Sequence, residues 1–341
     1  MRFWLGVALA SALGAACSSN DAPPPPAADG GSDSSPAGSR STDSPGGDGA
    51  VAQGGARSQA EGGAGEPPIG TIGGAFPGVS EGGAPPNPTP VCNRAARWSG
   101  AQALAALNTA QADERLLALS HDELSLVFSR ADALFVADRK SAGDDFAATI
   151  SVQLPAAYTF AQGVALSDDG LTLVVVSQDQ HALADVTRTA RSKTFDGTAD
   201  TRRFAWVNAN LTQSGLLSSP VLAADGKSLL LTRLEGGDSS VFRVRGDHFD
   251  DAAALDAVTL GAVDGNHKLT QSLSADARTL FFFDEGTGSA AALWSSTPAA
   301  AYTERVELEG LLSAFTNANC GRLYGTREVE GSLDLVVQTA N

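Results

Sequence analysis

Few residues in this 341-residue chain have the types and spacing that catalysis or metal binding requires. Its histidines are His121, His181, His248 and His267, and no two of them are spaced as in a zinc-binding His-Glu-x-x-His motif. The sequence also lacks the Gly-x-Ser-x-Gly turn that presents a hydrolase nucleophile. It therefore predicts a protein that is not an enzyme, with no catalytic residues, no metal site and no cofactor.

One acidic residue does recur, and repeated carboxylates could hold calcium. It is the aspartate of a repeated pattern, found as Asp122, Asp169, Asp225 and Asp276. Each copy lies between two short apolar runs, where a tight turn is expected. A carboxylate in such a turn accepts backbone N–H hydrogen bonds and holds the turn. The placement therefore favours a structural role for these aspartates over a calcium site.

The pattern around each aspartate recurs about every fifty residues. Its copies read LSHDELSLVF, LSDDGLTLVVVS, LAADGKSLLL, LSADARTLFF and, more weakly, TNANCGRLYG. Self-similarity at this period indicates a solenoid, a propeller or an array. Each copy predicts two strands around a polar turn, and a third strand follows at residues 133–138, 240–245 and 291–295. A less regular fourth strand is expected at 148–154 or 204–207.

Four strands in about fifty residues predict one propeller blade. The fold class is therefore all-β, a β-propeller of about five four-stranded blades. Six blades are the alternative, with an atypical unit between residues 187 and 217, where the longest step between copies lies.

The repeats resemble the TolB-like (WD-like) β-propeller repeats of bacterial cell-envelope lipoproteins. The Ser-x-Asp-Gly-x-x-Leu cores at 167–173 and 223–229 carry the resemblance, with Leu-Phe-Val-Ala-Asp-Arg at 134–139. Residues 97–108 resemble the outer strand that precedes a blade in that family, so the likeness covers about 97–341. Glu123 and Ala277 depart from the usual glycine at the turn. The resemblance implies a fold but no particular function.

Three segments are expected along the chain. Residues 1–16 have the shape of a signal peptide, with Arg2 followed by an apolar run. The segment ending at Cys17 resembles a bacterial lipobox, so Cys17 is expected to be lipidated; ordinary secretion with cleavage near Ala16 is the alternative. Residues 17–90 hold thirteen of the sixteen prolines, and this composition predicts a disordered linker. Residues 91–341 form the predicted propeller.

The remaining cysteines, Cys92 and Cys320, predict a disulfide in an exported protein. The last repeat has three strands of its own, so residues 97–107 are expected to supply its outer strand. This closure would bring Cys92 close to Cys320; two unpaired thiols are the alternative.

The formal net charge is −16, and the signal peptide contributes +1 and the linker −6, which leaves −11 for the propeller. This charge argues against binding to nucleic acid and to anionic lipid headgroups. Contact with the membrane is expected through the N-terminal lipid alone. By resemblance to lipoprotein sorting in Gram-negative bacteria, Ser18 after Cys17 suggests the outer membrane.

Propellers usually bind ligands on the loops that lead into their innermost strands. The candidate ligand-binding residues on or beside these loops are Arg115, Gln162, Gln213, His267, Lys268 and Gln271. Propeller enzymes that resemble lactonases line the channel with metal-binding carboxylates and amides, and no such ring is evident here. We therefore expect a monomeric, non-catalytic module that binds a protein, peptide or glycan, or serves as a scaffold. The alternative is a hydrolase or lyase with its site at the channel mouth.

Overall fold

The computed structural model describes residues 91–147, 149–196, 198–213, 215–236, 238–249, 256–258, 260 and 268–341. The predicted signal peptide, Cys17 and the linker lie outside these residues. The described residues form five four-stranded antiparallel sheets, which are the blades of a β-propeller. The prediction of an all-β propeller with five blades is therefore confirmed.

The described chain begins with strand β1 (Trp98–Ala103), which belongs to the last blade. The first blade contains β2 (Glu114–Leu119), β3 (Ser125–Arg130), β4 (Ala133–Asp138) and β5 (Ile150–Val152). The second blade contains β6 (Tyr158–Thr159), β7 (Ala165–Leu166), β8 (Thr172–Ser177) and β9 (Leu183–Thr187). Both β6 and β7 pair with β8, so two short strands share the inner edge of this blade.

The remaining three blades follow in chain order. The third blade contains β10 (Leu216–Leu222), β11 (Ser228–Glu235), β12 (Asp238–Arg245) and β13 (Asp256–Ala257). The fourth blade contains β14 (Lys268–Leu273), β15 (Thr279–Asp284), β16 (Ser289–Ser295) and β17 (Tyr302–Glu307). The fifth blade contains β18 (Leu311–Thr316), β19 (Arg322–Val329) and β20 (Ser332–Ala340), with β1 as its outer strand.

The two ends of the described chain meet in the fifth blade. Strand β1 pairs antiparallel with β20, with Trp98 opposite Ala340 and Gln102 opposite Val337. A disulfide joins Cys92 to Cys320, with their Cα atoms 5.0 Å apart. The predicted closure and the predicted disulfide are both confirmed.

The turn between the first two strands of each blade has the same geometry throughout. Its aspartate accepts backbone N–H bonds, as Asp169 does from Leu171 at 2.9 Å and Asp225 does from Lys227 at 2.8 Å. The next residue has a positive φ in all five blades, and these residues are Glu123, Gly170, Gly226, Ala277 and Cys320. The predicted structural role of the aspartates is confirmed. A side chain in this conformation costs about 1–2 kcal/mol relative to glycine, and the surrounding hydrogen bonds offset that cost.

The prediction of a strand at 204–207 is wrong, because these residues belong to a 3₁₀ turn (Arg202–Phe204) and helix α1 (Ala205–Asn210). The buried residues Phe204, Val207 and Leu211 repeat at helical spacing and pack into the apolar core beside the second blade. The side chain of Asn208 accepts a hydrogen bond from the Leu183 N–H at 2.8 Å and donates to its carbonyl at 3.0 Å. The helix therefore takes the place of most of a fourth strand, and no sixth blade forms among the described residues 187–217.

Each pair of neighbouring blades encloses an apolar core of its own. At the junction of blades one and two, for example, Val127 and Val136 pack with Leu173 and Val186. Corresponding cores lie at the other four junctions. Each sheet is therefore covered by apolar neighbours on both faces.

Buried arginines reinforce two of these junctions in the same way. Arg188, after β9, has a fully buried side chain and binds both carboxylate oxygens of Asp138 in the first blade, at 2.8 and 2.7 Å. Its guanidinium also lies 4.8 Å from the ring centroid of Phe195. Arg139, after β4, donates to the hydroxyl of Tyr324 in the fifth blade at 2.8 Å and lies 4.4 Å from the ring of Phe146. Both arginines precede their phenylalanine by seven residues.

Other polar links hold the remaining junctions. Arg203 donates to the carbonyl of Gly226 at 2.9 Å, between the second and third blades. Arg243 donates to the hydroxyl of Tyr302 at 3.1 Å, between the third and fourth blades. Between the fourth and fifth blades, the disulfide is accompanied by a bond from the Cys92 N–H to Asp276 at 3.3 Å. The disulfide ties the segment before β1 to the turn between β18 and β19, so it reinforces the blade in which the ring closes.

The closure predicts a large effect of removing the disulfide. The Cys92→Ala/Cys320→Ala double variant is expected to lose up to about 5 kcal/mol of unfolding free energy, because the unfolded chain is no longer cross-linked over 228 residues. Urea unfolding without reductant measures the loss. Cys17→Ala serves as the cysteine control and should leave the midpoint unchanged. Equal midpoints for the double variant and the wild type would show that the disulfide does not stabilise the ring.

Candidate functional site

The innermost strands of the five blades surround a central channel, which is the usual ligand site of this architecture. It has two ends: the turn mouth, formed by the five aspartate or asparagine turns, and the loop mouth, formed by the loops that lead into the innermost strands. The cavity in the channel has a volume of about 20 Å³. Its lining consists of Ala118, Leu119, His121, Val164, Ala165, Leu166, Val221, Leu222, Gln271, Ser272, Leu273, Phe315 and Thr316. This volume, at the turn end of the channel, holds about one water molecule.

Bulges set the orientation of several channel residues. The pairing register of the innermost strand shifts at the equivalent place in four blades, around Leu117, Ser219, Gln271 and Leu312. A bulge adds one residue to one strand of a pair and bends that strand. The extra residue leaves the regular pairing, so its backbone and side chain are available to bond the neighbouring blade.

Gln271 shows the consequence for one predicted ligand-binding residue. Its side-chain amide donates to the carbonyl of Leu312 at 3.1 Å and accepts from the N–H of Ala314 at 2.9 Å. Ser272 donates to the carbonyl of Ala314 at 2.9 Å. Gln271 therefore lines the channel as predicted, but both ends of its amide are used to join the fourth blade to the fifth.

Gln162 is also engaged by a neighbouring blade. Its carbonyl accepts the N–H of Ser219 at 2.7 Å. The two backbones come so close that a Cβ atom on Gly163, which has a φ of +84°, would lie 3.3 Å from the Cα of Ser219. Glycine at position 163 thus permits direct contact between the second and third blades.

The structure places the other candidates at separate positions. Arg115 is half-buried on β2, and Lys268 is the first residue of β14, where its N–H donates to Ser239 at 3.0 Å. Gln213 is exposed after helix α1 and donates to the carbonyl of Ala209 at 2.8 Å. His267 lies outside the described residues. Of the described candidates, Gln271 is the one in the lining of the channel cavity.

The residue at the turn mouth that sequence reasoning missed is His121. Its Nε2 donates to the carbonyl of Leu273 at 2.8 Å, and its Nδ1 lies 3.2 Å from Asp168. Burial lowers the pKa of the ring, but the bonds to Asp168 and Leu273, together with the charges of Asp168 and Asp122, outweigh this effect and raise the pKa above 6.5. A weak sequence signal existed, because three of the five turns have alanine where the first has His121 and the second has Asp168.

The turn mouth does not have the composition of a metal site. Among the described residues, no three histidine, cysteine, aspartate or glutamate side chains lie close enough together to hold an ion. Asp122 shows how a turn carboxylate is occupied: it accepts from the Leu124 N–H at 2.9 Å and from Arg191 at 2.5 Å. Burial raises the pKa of Asp122, but these partners, with Ser120, lower it overall. These bonds keep the carboxylate of Asp122 paired with Arg191 and with the backbone at the turn mouth.

The described part of the chain contains no helix of the length and apolarity needed to cross a membrane. No protein-family model matches the chain. No curated protein matches it in sequence either.

Several solved propeller structures resemble the chain at low identity. The match to a protein assigned to TolB from Agrobacterium tumefaciens has 13% identity and a TM-score of 0.40, and covers 66% of this chain and 76% of that one. For TolB from Acinetobacter baumannii the identity is 11% and the TM-score 0.43, and the match covers 68% of this chain and 56% of the TolB chain. For the gluconolactonase XC5397 from Xanthomonas campestris the identity is 13% and the TM-score is 0.38. This match covers 72% of this chain and 97% of the gluconolactonase chain.

The propeller predicted from the repeats is found in the structure as five four-stranded blades. The assignment of the fold depends on the strand pairing of this chain. At these TM-scores the matches transfer neither an activity nor a ligand.

Replacing Gln271 separates a structural role from a ligand-binding one. Gln271→Leu is expected to lower the unfolding free energy by about 1–3 kcal/mol, because the buried N–H of Ala314 and carbonyl of Leu312 lose their partner. Gln213→Ala is the matched control at an exposed glutamine, and it should change stability by less than about 0.5 kcal/mol. Chemical denaturation of both variants measures the difference. If the two variants have the same unfolding free energy, Gln271 does not stabilise the contact between the fourth and fifth blades.

Proposed function

We propose that this protein is a non-catalytic module of the bacterial cell envelope, whose propeller binds a protein, peptide or glycan partner or serves as a scaffold. Cys17 carries the lipid that holds it at the membrane, in the outer membrane, and residues 18–90 connect the lipid to the propeller. The proposed location in the cell envelope depends on the signal-peptide shape of residues 1–16 and on the lipobox-like sequence before Cys17.

The observation that supports the non-catalytic role is the closed channel. Its cavity of about 20 Å³ admits no substrate, and apolar or small side chains form most of its lining. The polar side chains of Gln271, Ser272 and His121 in this lining bond the backbone of other blades, and Thr316 bonds the backbone of its own blade. This cavity therefore favours a partner site on the outer surface of the propeller.

The loop mouth is the face that supports partner binding best. The described chain begins beside the turn mouth, because Cys92 is bonded to Cys320 in the fifth turn. The loop mouth lies at the opposite end of the channel from this disulfide. Its loops expose acidic side chains, at Asp113, Asp132, Glu309, Glu328 and Glu330. A partner that offers basic or hydroxyl groups to this face fits that charge.

Photo-crosslinking in the producing cells tests the proposal. A photoreactive residue replaces Glu330 at the loop mouth in the full-length chain, and Lys227, exposed at the turn mouth, is the matched control position. We expect an adduct of one defined mass from position 330 and none from position 227. Equal adducts from both positions, or none from position 330, would contradict a binding face at the loop mouth.

Two further measurements separate the parts of the proposal. The Cys17→Ser variant cannot be acylated and is expected to leave the membrane fraction; if it stays there, the lipid tether is wrong. The purified wild-type chain is assayed for hydrolysis of lactones with added divalent metal ions, since a gluconolactonase is among the propellers that resemble this chain. Turnover above the uncatalysed rate would overturn the non-catalytic role and favour a hydrolase.

A further inference from the structure

His121 contacts more blades than its position in the first turn would suggest. Its backbone N–H donates to Asp168 of the second blade at 3.0 Å, and its carbonyl accepts the N–H of Ala318 of the fifth blade at 3.0 Å. Its ring reaches across the channel to the carbonyl of Leu273 in the fourth blade. One residue therefore joins four of the five blades at the turn mouth.

Both ring nitrogens of His121 face groups that can only accept a hydrogen bond. Nε2 lies 2.8 Å from the carbonyl oxygen of Leu273, and Nδ1 lies 3.2 Å from the carboxylate of Asp168. A neutral imidazole has one N–H donor and one lone pair, whereas the imidazolium ion has two donors. Only the imidazolium satisfies both neighbours, and the neutral ring leaves one acceptor facing a lone pair.

We propose that His121 is a protonation-dependent lock at the turn mouth of the channel. The imidazolium ion bridges Asp168 and Leu273 and holds the turns of the first, second and fourth blades together across the channel. Loss of the proton to solvent removes one of the two bonds, so the ring leaves the mouth and water reaches the channel cavity. The side chain is 11% exposed, which gives the proton a path to solvent.

The charged groups around the ring favour the protonated state. Asp122 is the charged group of the first blade that acts on the ring, and it pairs with Arg191 at 2.5 Å. Asp168 of the second blade has its carboxylate 3.2 Å from Nδ1, and its charge raises the pKa of the ring together with that of Asp122. The fifth turn, Asn317 to Cys320, contains no titratable side chain, because Cys320 is in the disulfide.

The sign of the pH dependence follows from this setting. A histidine whose pKa is raised by folding stabilises the folded state fully below its unfolded pKa of about 6.5, and this contribution is lost as the pH rises through the folded pKa. The lock is therefore closed below the unfolded pKa and opens as the pH rises through the folded pKa of His121.

Nitrogen NMR of the imidazoles in the full-length wild-type chain tests the protonation directly. At pH 6.5 we expect the imidazolium form of His121, with both nitrogens protonated, to predominate, because folding raises the pKa of this ring above 6.5. The Asp168→Asn variant, which keeps the shape but not the charge, should shift the His121 midpoint downwards. A His121 ring that is predominantly neutral at pH 6.5 overturns the proposal.

Melting temperatures at several pH values test the consequence for the ring of blades. The wild type is expected to lose melting temperature as the pH rises from 6.5 through the folded pKa of His121, and His121→Gln should lose less over the same range. His248→Gln is the control at an exposed histidine and should follow the wild type. Parallel pH profiles for the wild type and His121→Gln would contradict the lock. If His121→Gln does not fold, Asp168→Asn takes its place. Its melting temperature is expected to depend less on pH than that of the wild type, and an equal dependence would contradict the lock.

Discussion

Every blade of this propeller is apolar on both faces, so none of them is stable until a neighbour covers each face. The five apolar cores between blades meet this requirement only when the fifth blade covers the fourth and the first. Closure of the ring is therefore the constraint on which the rest depends. It is achieved by chain segments from the two ends of the domain, through the pairing of β1 with β20 and through the disulfide of Cys92 with Cys320.

The polar links between blades concentrate around the aspartate turns. Arg139 and Arg188 each bury a guanidinium over a phenylalanine and bond the preceding blade. A buried arginine is stable there because its donors are matched by carboxylate, carbonyl and hydroxyl groups. His121 and Gln271 extend the same principle to the channel itself. Side chains that a ligand site would need are thus used to hold the ring, which supports a binding surface outside the channel.

The parts of the structure that the sequence predicts are those set by local chemistry. The aspartate of each turn bonds backbone groups two residues away, so Asp169 and Asp225 marked the turns and the strands around them. Helix α1 was missed because its six residues sit in a position where the repeats call for a strand. The apolar spacing of Phe204, Val207 and Leu211 was present in the sequence, but only three residues carry it.

The contacts of the site were harder to predict because they join distant parts of the chain. His121 meets Leu273, which is 152 residues away, and Gln271 meets Ala314, 43 residues away. The residue types of His121 and Gln271 suggested polar surface positions. Only the closed ring shows that the partners of these two side chains are backbone groups of other blades. The seven-residue spacing of Arg139 to Phe146 and of Arg188 to Phe195 is present in the sequence. That these arginines bond the neighbouring blade is evident only from the structure.

The most direct measurement of the central claim is native-state hydrogen exchange of the wild-type chain, followed on the innermost strands of all five blades. If closure makes the ring one cooperative unit, the slowest amides of all five strands should open with the same free energy, equal to that of global unfolding. Independent opening of one blade, with the other four still protected, would contradict the account, because the exposed faces of its neighbours would then be stable without cover.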